Sequence, residues 1–168
     1  MIVADTSVLI NFLNVRRMDL IARHARRFLA TNHVEAEITA LYPQQQADYQ
    51  ACVSAGWIDT CTVVDPVEVN LFLKLMRSNR LGSGECSAIA VAVTRSHAVA
   101  MDDNRAVNHA LREAGVAGTT LQVMRTPDVM LDLIRSGVLT VAEADSIKDA
   151  WARHHRFKIK AASFADLL

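Results

Sequence analysis

Short apolar runs that stop at single carboxylates recur along this chain. Ile2, Val3 and Ala4 form such a run, ended by Asp5-Thr6-Ser7, and Val8-Leu9-Ile10 with Phe12-Leu13 follow at helical spacing behind a hydroxyl cap. Over residues 18–29 the apolar positions Met18, Ile21, Ala25, Phe28 and Leu29 keep a period near 3.6, which predicts an amphipathic helix with Arg16, Arg23, Arg26 and Arg27 on or near its outer face. A further helix is expected over 34–41, bent or stopped at Pro43, and another ends near Gly56. Residues 57–64 alternate as a strand. Asp65-Pro66-Val67-Glu68 joins an acidic cap, a proline at the first helical position and a capping-box glutamate, so a helix is expected over 66–78.

The turn Gly82-Ser83-Gly84 opens a helix to about residue 95, with Ala88, Ala90 and Ala92 suited to close packing on a sheet. Residues 98–101 are expected as a buried strand ending in Asp102-Asp103, and 104–114 as a helix with Gly115 as its stop. Val116-Ala117 is expected as a short strand. The β-α alternation predicts an α/β domain with a parallel sheet. After residue 125 the pattern is purely helical: 127–136 ends at Gly137, and Thr140-Val141-Ala142-Glu143 opens a helix to about 154. No linker-like run separates 126–168 from 1–125, so a helical extension packed on the same domain is expected.

The chain has 168 residues, 51% of them hydrophobic, enough for one domain with a packed core. Eighteen basic residues balance eighteen acidic ones, so any affinity for nucleic acid must come from local patches. The three cysteines form no C-x-x-C pair, which argues against a disulfide framework or a thiolate zinc site and suits a reducing cytoplasm. No H-x-x-x-H spacing supports zinc. The N-terminus has no basic leader and no apolar run long enough to span a bilayer, so neither secretion nor membrane insertion is expected.

Ligands of open α/β sheets bind beyond the carboxyl ends of the strands, where Asp5 and Asp102-Asp103 fall. Glu85 at a helix start and Glu37 on an earlier helix can complete a ring of acids. Converging carboxylates without basic partners call for a hard divalent cation, and Mg²⁺ or Mn²⁺ held by oxygen ligands activates water and stabilises the leaving oxygen of a phosphodiester. Each acid also has a plainer role. Asp5 can cap the first helix, Glu37 can be solvated in competition with Glu35, and Glu85 can answer the helix dipole. Thr6, Ser7 and Thr119 either position water or phosphate or serve as caps. Arg16, Arg23 and Arg27 form either a phosphate-facing stripe or a solvated face, and Arg105 either pairs an acid or meets RNA phosphate. Ser7 lacks a nucleophile elbow, and Gly82-Ser83-Gly84 lacks the Walker lysine.

The motifs Ile2-Val3-Ala4-Asp5-Thr6-Ser7-Val8-Leu9-Ile10, Val34-Glu35-Ala36-Glu37-Ile38, Leu81-Gly82-Ser83-Gly84-Glu85-Cys86-Ser87-Ala88, Met101-Asp102-Asp103-Asn104-Arg105-Ala106 and Gly118-Thr119 together resemble a PIN domain. The pattern is most similar to the prokaryotic branch related to toxins of the virulence-associated-protein C type, over roughly residues 1–124. The resemblance implies a three-layer α/β/α sandwich and an Mg²⁺- or Mn²⁺-dependent endoribonuclease acting on single-stranded RNA, leaving a 5′-phosphate and a 3′-hydroxyl. It implies Asp5, Glu37, Glu85 and a fourth acid as the catalytic set, with Asp103 preferred over Asp102 because it directly precedes Asn104-Arg105. It also implies an antitoxin protein covering the acids, a homodimer and a cytoplasmic location. Two features depart from the toxin pattern: Glu85 stands where many toxins carry aspartate, and Ala106-Val107 where many carry an aromatic residue. The competing reading is a catalytically weak or inactive PIN-like module that binds RNA or protein. A dehalogenase-like phosphatase is disfavoured, since Ser7 stands where its second aspartate belongs.

Overall fold

The computed structural model describes residues 1–39, 43–78 and 80–168. Its elements run β1 (Ile2–Ala4), α1 (Thr6–Asn14), α2 (Met18–Arg23), β2 (Phe28–Thr31), α3 (Asn32–Thr39), α4 (Pro43–Ser54), β3 (Asp59–Cys61) and α5 (Pro66–Met76). There follow α6 (Ser83–Thr94), β4 (Ala98–Ala100), α7 (Asn104–Val116), β5 (Val123–Met124), α8 (Thr126–Arg135), α9 (Val141–His154) and a closing 3₁₀ turn (Phe164–Leu167). The five strands form one parallel sheet in the order β3-β2-β1-β4-β5. Chain order reverses at β1, so its neighbours β2 and β4 leave on opposite sides and a crevice opens at the β1/β4 boundary.

The strands are brief; the central β2, β1 and β4 are fully buried, and the edge strands β3 and β5 are partly exposed. Because side chains alternate across a strand, Ile2, Ala4, Phe28, Ala30, Ala98 and Ala100 enter one buried cluster, whereas Val3, Leu29 and Val99 enter the other. Helices α1, α8 and α9 supply the first cluster through Leu9, Phe12, Val129, Leu133 and Trp151. Helices α6 and α7 supply the second through Ala88, Ile89, Ala92, Ala106 and Ala110. Small residues at 88, 90 and 92, all buried, let α6 lie close against the sheet. The result is a three-layer α/β/α sandwich in which apolar runs, rather than alternating ones, mark the strands.

Residues 126–168 contribute to the same core. Trp151 is fully buried, meets Phe12 edge-on at a 5.9 Å centroid distance, and its indole N–H donates to the Asn11 carbonyl at 2.6 Å. Truncating such a side chain typically costs about 3–5 kcal/mol, so α9 is integral to the fold. Among the described residues no helix is long and apolar enough to cross a membrane.

Three expectations are corrected. The helix over 18–29 ends at Arg23, and Phe28–Thr31 is a strand. His24 takes extended backbone angles, its Nδ1 accepts from the Arg26 N–H at 3.1 Å, and Phe28–Thr31 are all buried, on both faces of the sheet. The strand at Val116-Ala117 is the end of α7, and the fifth strand is Val123–Met124 instead. That helix runs past Gly115 to a left-handed glycine, Gly118, at φ 68°. The strand over 57–64 contracts to Asp59–Cys61, and the expected helix over 34–41 extends into residues outside the described ones.

Candidate functional site at the carboxyl edge of the sheet

Asp5 leaves β1 at the crevice, where its backbone N–H donates to the Ala100 carbonyl of β4 at 2.8 Å. It caps α1: Oδ2 accepts from the Ser7 N–H at 3.2 Å and the Ser7 hydroxyl at 2.7 Å. Capping and exposure to chemistry are therefore compatible, because only one oxygen is used. The other, Oδ1, is buried and has no hydrogen-bond partner among the described residues. The residue is only 2% exposed. Burial pushes its pKa up to about 6, Ser7 donors pull against that rise, and the Glu85 charge adds to it.

Glu85 stands in the first turn of α6, with one oxygen accepting from the Gly82 N–H at 2.9 Å. Its pKa is raised, first by burial and further by Asp103 and Glu37, against lowering by the Gly82 N–H and Arg105. Like charges thus press on one another across three elements.

Glu37 comes from α3 and clamps the site. Oε2 accepts from the Thr6 hydroxyl at 2.7 Å, while Oε1 accepts from the Ser83 hydroxyl at 2.9 Å and the Gly84 N–H at 2.7 Å. One carboxylate therefore ties the start of α1, which carries Asp5, to the start of α6, which carries Glu85. The approach requires glycine. A Cβ at Gly84 would lie 2.4 Å from Glu37 Oε2 and 2.8 Å from the Thr6 hydroxyl oxygen.

The adjacent acids after β4 part company. Asp103 caps α7, with Oδ1 accepting from the Arg105 N–H at 2.7 Å and the Ala106 N–H at 3.1 Å, and it is the acid whose charge reaches Glu85. Burial works to raise its pKa, but those N–H donors and the Arg105 guanidinium, 3.5 Å away, hold it below the usual range. Asp102 turns the other way. It accepts from Asn11 Nδ2 at 3.0 Å, the Thr126 N–H at 2.9 Å and the Thr126 hydroxyl at 2.6 Å, stapling β4 to α1 and α8. Arg125 donates to the Asp102 carbonyl at 2.7 Å and the Asn104 side chain at 2.6 Å, closing this edge.

The structure therefore gathers Asp5, Thr6, Ser7, Glu37, Glu85, Asp103 and Arg105 at one edge. Asp102 lies at the same edge, its N–H donating to the Ser7 hydroxyl at 3.4 Å, but its carboxylate is taken up by Asn11 and Thr126; the other candidates lie elsewhere. Thr119 follows the far end of α7, where its hydroxyl donates to the Ala114 carbonyl at 3.4 Å. Arg27 precedes β2 at the opposite edge and pairs with Asp59 at 2.5 Å, and Arg23 donates to the Val138 carbonyl at 3.3 Å. Arg16 ends α1 in a left-handed turn at φ 54° and lines a cavity with Met18 and Trp57, so the three arginines form no stripe beside the acids. Asn11 and Thr126 stand outside the candidate residues of the sequence, and Ser83 enters there only as part of the Gly82-Ser83-Gly84 turn. A lone Asn between Ile10 and Phe12 on an apolar helix face was the one available signal for the first.

Among the described residues no group of three or more His, Cys, Asp or Glu side chains is drawn close enough to hold a metal ion as arranged. The donor chemistry still fits a hard cation: the acidic groups that converge are carboxylates, one buried oxygen has no partner among the described residues, and burial, with neighbouring acids adding to it, raises the pKa values of Asp5 and Glu85. A family model described as PIN domain matches residues 1–161. No curated protein matches the chain. PIN domains are generally nucleases and typically use divalent metals. With nearly its whole length matched, the chain belongs to the PIN domain family.

Proposed function

We propose that this PIN domain is an Mg²⁺- or Mn²⁺-dependent endoribonuclease of single-stranded RNA. The observation that carries the reading is the Asp5 carboxylate, 2% exposed, with Oδ1 unpartnered and no basic side chain paired with it among the described residues. A buried anion left without a partner is costly, and it is retained where a ligand completes it. Asp5, Glu85 and Asp103 would hold the divalent ion, which when bound supplies an acidified water and neutralises charge on the phosphate oxygens.

The chain's own residues do the rest. Glu37 positions the site by fixing the α1 and α6 starts against each other through Thr6, Ser83 and Gly84. Ser7 orients Asp5 so that Oδ1 faces away from the cap. With the cation absent Asp5 takes up a proton near pH 6, so proton and cation compete for it, and cation affinity and with it cleavage fall as the pH drops below that value. An open strand edge suits RNA that is already unpaired, since its phosphodiester reaches recessed acids without strand separation. In a toxin setting the same acids would be masked by an antitoxin, through an arginine offered to the unpaired carboxylates.

The test is internal cleavage of an end-labelled single-stranded RNA with Mg²⁺, Mn²⁺ or EDTA. Cleavage that EDTA abolishes, and that Asp5→Asn lowers at least a hundredfold in a folded protein, is the expected result; an undiminished rate in Asp5→Asn overturns the reading. A binding module without cleavage is the second reading, favoured by the absence of a preassembled three-acid cluster among the described residues. RNA retention without cleavage under any of these metals would select it.

A further inference from the structure

Beside the acids lies a cavity of about 420 Å³ lined by Arg80, Arg105, Asn108 and His109. Each of these side chains offers hydrogen-bond donors, and no carboxylate lines the space among the described residues. Arg105, Asn108, His109 and Arg112 follow one another at i, i+3, i+4 and i+7 along α7, and so share one face. The opposite face, with Ala106, Val107, Ala110 and Ala114, is buried. Arg112 Nη2 donates to His109 Nδ1 at 2.9 Å, which leaves the proton of a neutral imidazole on Nε2, free to donate outward.

A merely solvated helix face carries mixed charges. This one shows no acid outward: Glu113, the sole acid of α7, is 3% exposed, held by Lys74 at 2.5 Å and, from the rim of the face, by Arg112 Nη2 at 3.5 Å. The chain has no net charge, so the groove is a local positive island. It begins at the acids, because Arg105 is 3.5 Å from Asp103 and Arg80 precedes the turn that carries Glu85. From Arg105 to Arg112 the helix advances about 10 Å.

We infer that this groove is a second subsite, which grips the phosphates flanking the scissile bond and leads a single RNA strand along α7 away from the acids. The inference rests on the nuclease reading for what lies at the acid end. Single-stranded RNA is the occupant that the geometry favours over an acidic peptide, because only a phosphodiester chain joins a positive track to a cation-demanding carboxylate site in one ligand. Asn108 and the His109 Nε2–H add neutral donors suited to base edges or 2′-hydroxyls.

The test uses the full chain with EDTA, so that binding is measured without turnover. Fluorescence anisotropy of a labelled single-stranded RNA is recorded against salt for the wild type, Arg80→Gln/Arg112→Gln, and, as control, Arg153→Gln at an exposed position of α9. Loss of two phosphate contacts lowers the slope of log K against log salt by about 1.4, at roughly 0.7 per contact. Affinity should fall about tenfold in the double variant and stay unchanged in the control. A slope unaltered in the double variant overturns the inference, as does a polyglutamate peptide that binds the wild type as tightly as the RNA and is lost in the double variant. An altered slope together with absent metal-dependent cleavage would leave the groove standing and remove the nuclease reading; cleavage with an unaltered slope would do the reverse.

Discussion

Two kinds of buried carboxylate occur in this fold. Glu68 is 2% exposed and receives Arg95 through Nε at 2.5 Å and Nη2 at 3.0 Å, and Glu113, 3% exposed, receives Lys74 at 2.5 Å. Asp5 is equally buried, yet among the described residues its donor side chain is Ser7 and the charge acting on it is that of Glu85. The first pair of acids shows how this chain treats an anion that serves structure: it supplies a cation. No such pairing is made for Asp5 among the described residues, which is the difference that the proposed reading of the carboxyl edge rests on.

Turning one kind of acid into the other gives the largest expected effect. Arg95→Met leaves Glu68 buried with only the long Thr94 contact at 3.4 Å, and should cost about 3–5 kcal/mol in denaturant unfolding at neutral pH. Because Glu68 lies away from the catalytic edge, added Mn²⁺ should restore none of it.

The converse change should stabilise. Raising the Asp5 pKa from 3.8 to about 6 means that the folded chain holds a proton which the unfolded chain has released, so stability falls as pH rises from about 4 to about 6 and is level above that. Asp5→Asn keeps the cap and removes this penalty. It should gain about 3 kcal/mol at pH 7.5 and flatten the pH profile of unfolding. A destabilised Asp5→Asn at pH 7.5 would show that the carboxylate is satisfied after all.

Gly84→Ala probes the clamp that holds the strained edge together. The Cβ clash with Glu37 and Thr6 should cost about 1–3 kcal/mol in thermal or denaturant unfolding. Cleavage should fall by more than that loss of folded protein explains, since Asp5 and Glu85 lose their common tether.

The layers of this fold were legible where apolar pattern and capping agreed. Asp65-Pro66 with Glu68, and Thr140 with Glu143, announced α5 and α9, and Asp65 and Thr140 do accept the first-turn N–H groups. Strand β2 was hidden because Phe28 and Leu29 continue the 3.6 period of α2, and only tertiary burial turns them into a strand. Strand β5 was misplaced because Val123–Met124 is two residues long, too short for any period to show. Within the site, the acids stand out as terminators of apolar runs, but neighbours in sequence face opposite ways. Asp103 caps α7 while Asp102 binds Asn11 and Thr126, a distinction made by residues more than twenty positions distant. A stripe or solvated face of Arg23 and Arg27 presumes a helix that does not extend to residue 27; on the actual backbone they hold the Val138 carbonyl and Asp59.

Calorimetric titration of Mn²⁺ into the wild type and Asp5→Asn at pH 7.5 tests most directly whether the unpaired carboxylate awaits a cation. Saturable binding in the low-millimolar range or tighter to the wild type, lost in Asp5→Asn, is the outcome this account requires. No binding to the wild type in that range, or the same binding in both proteins, would contradict it.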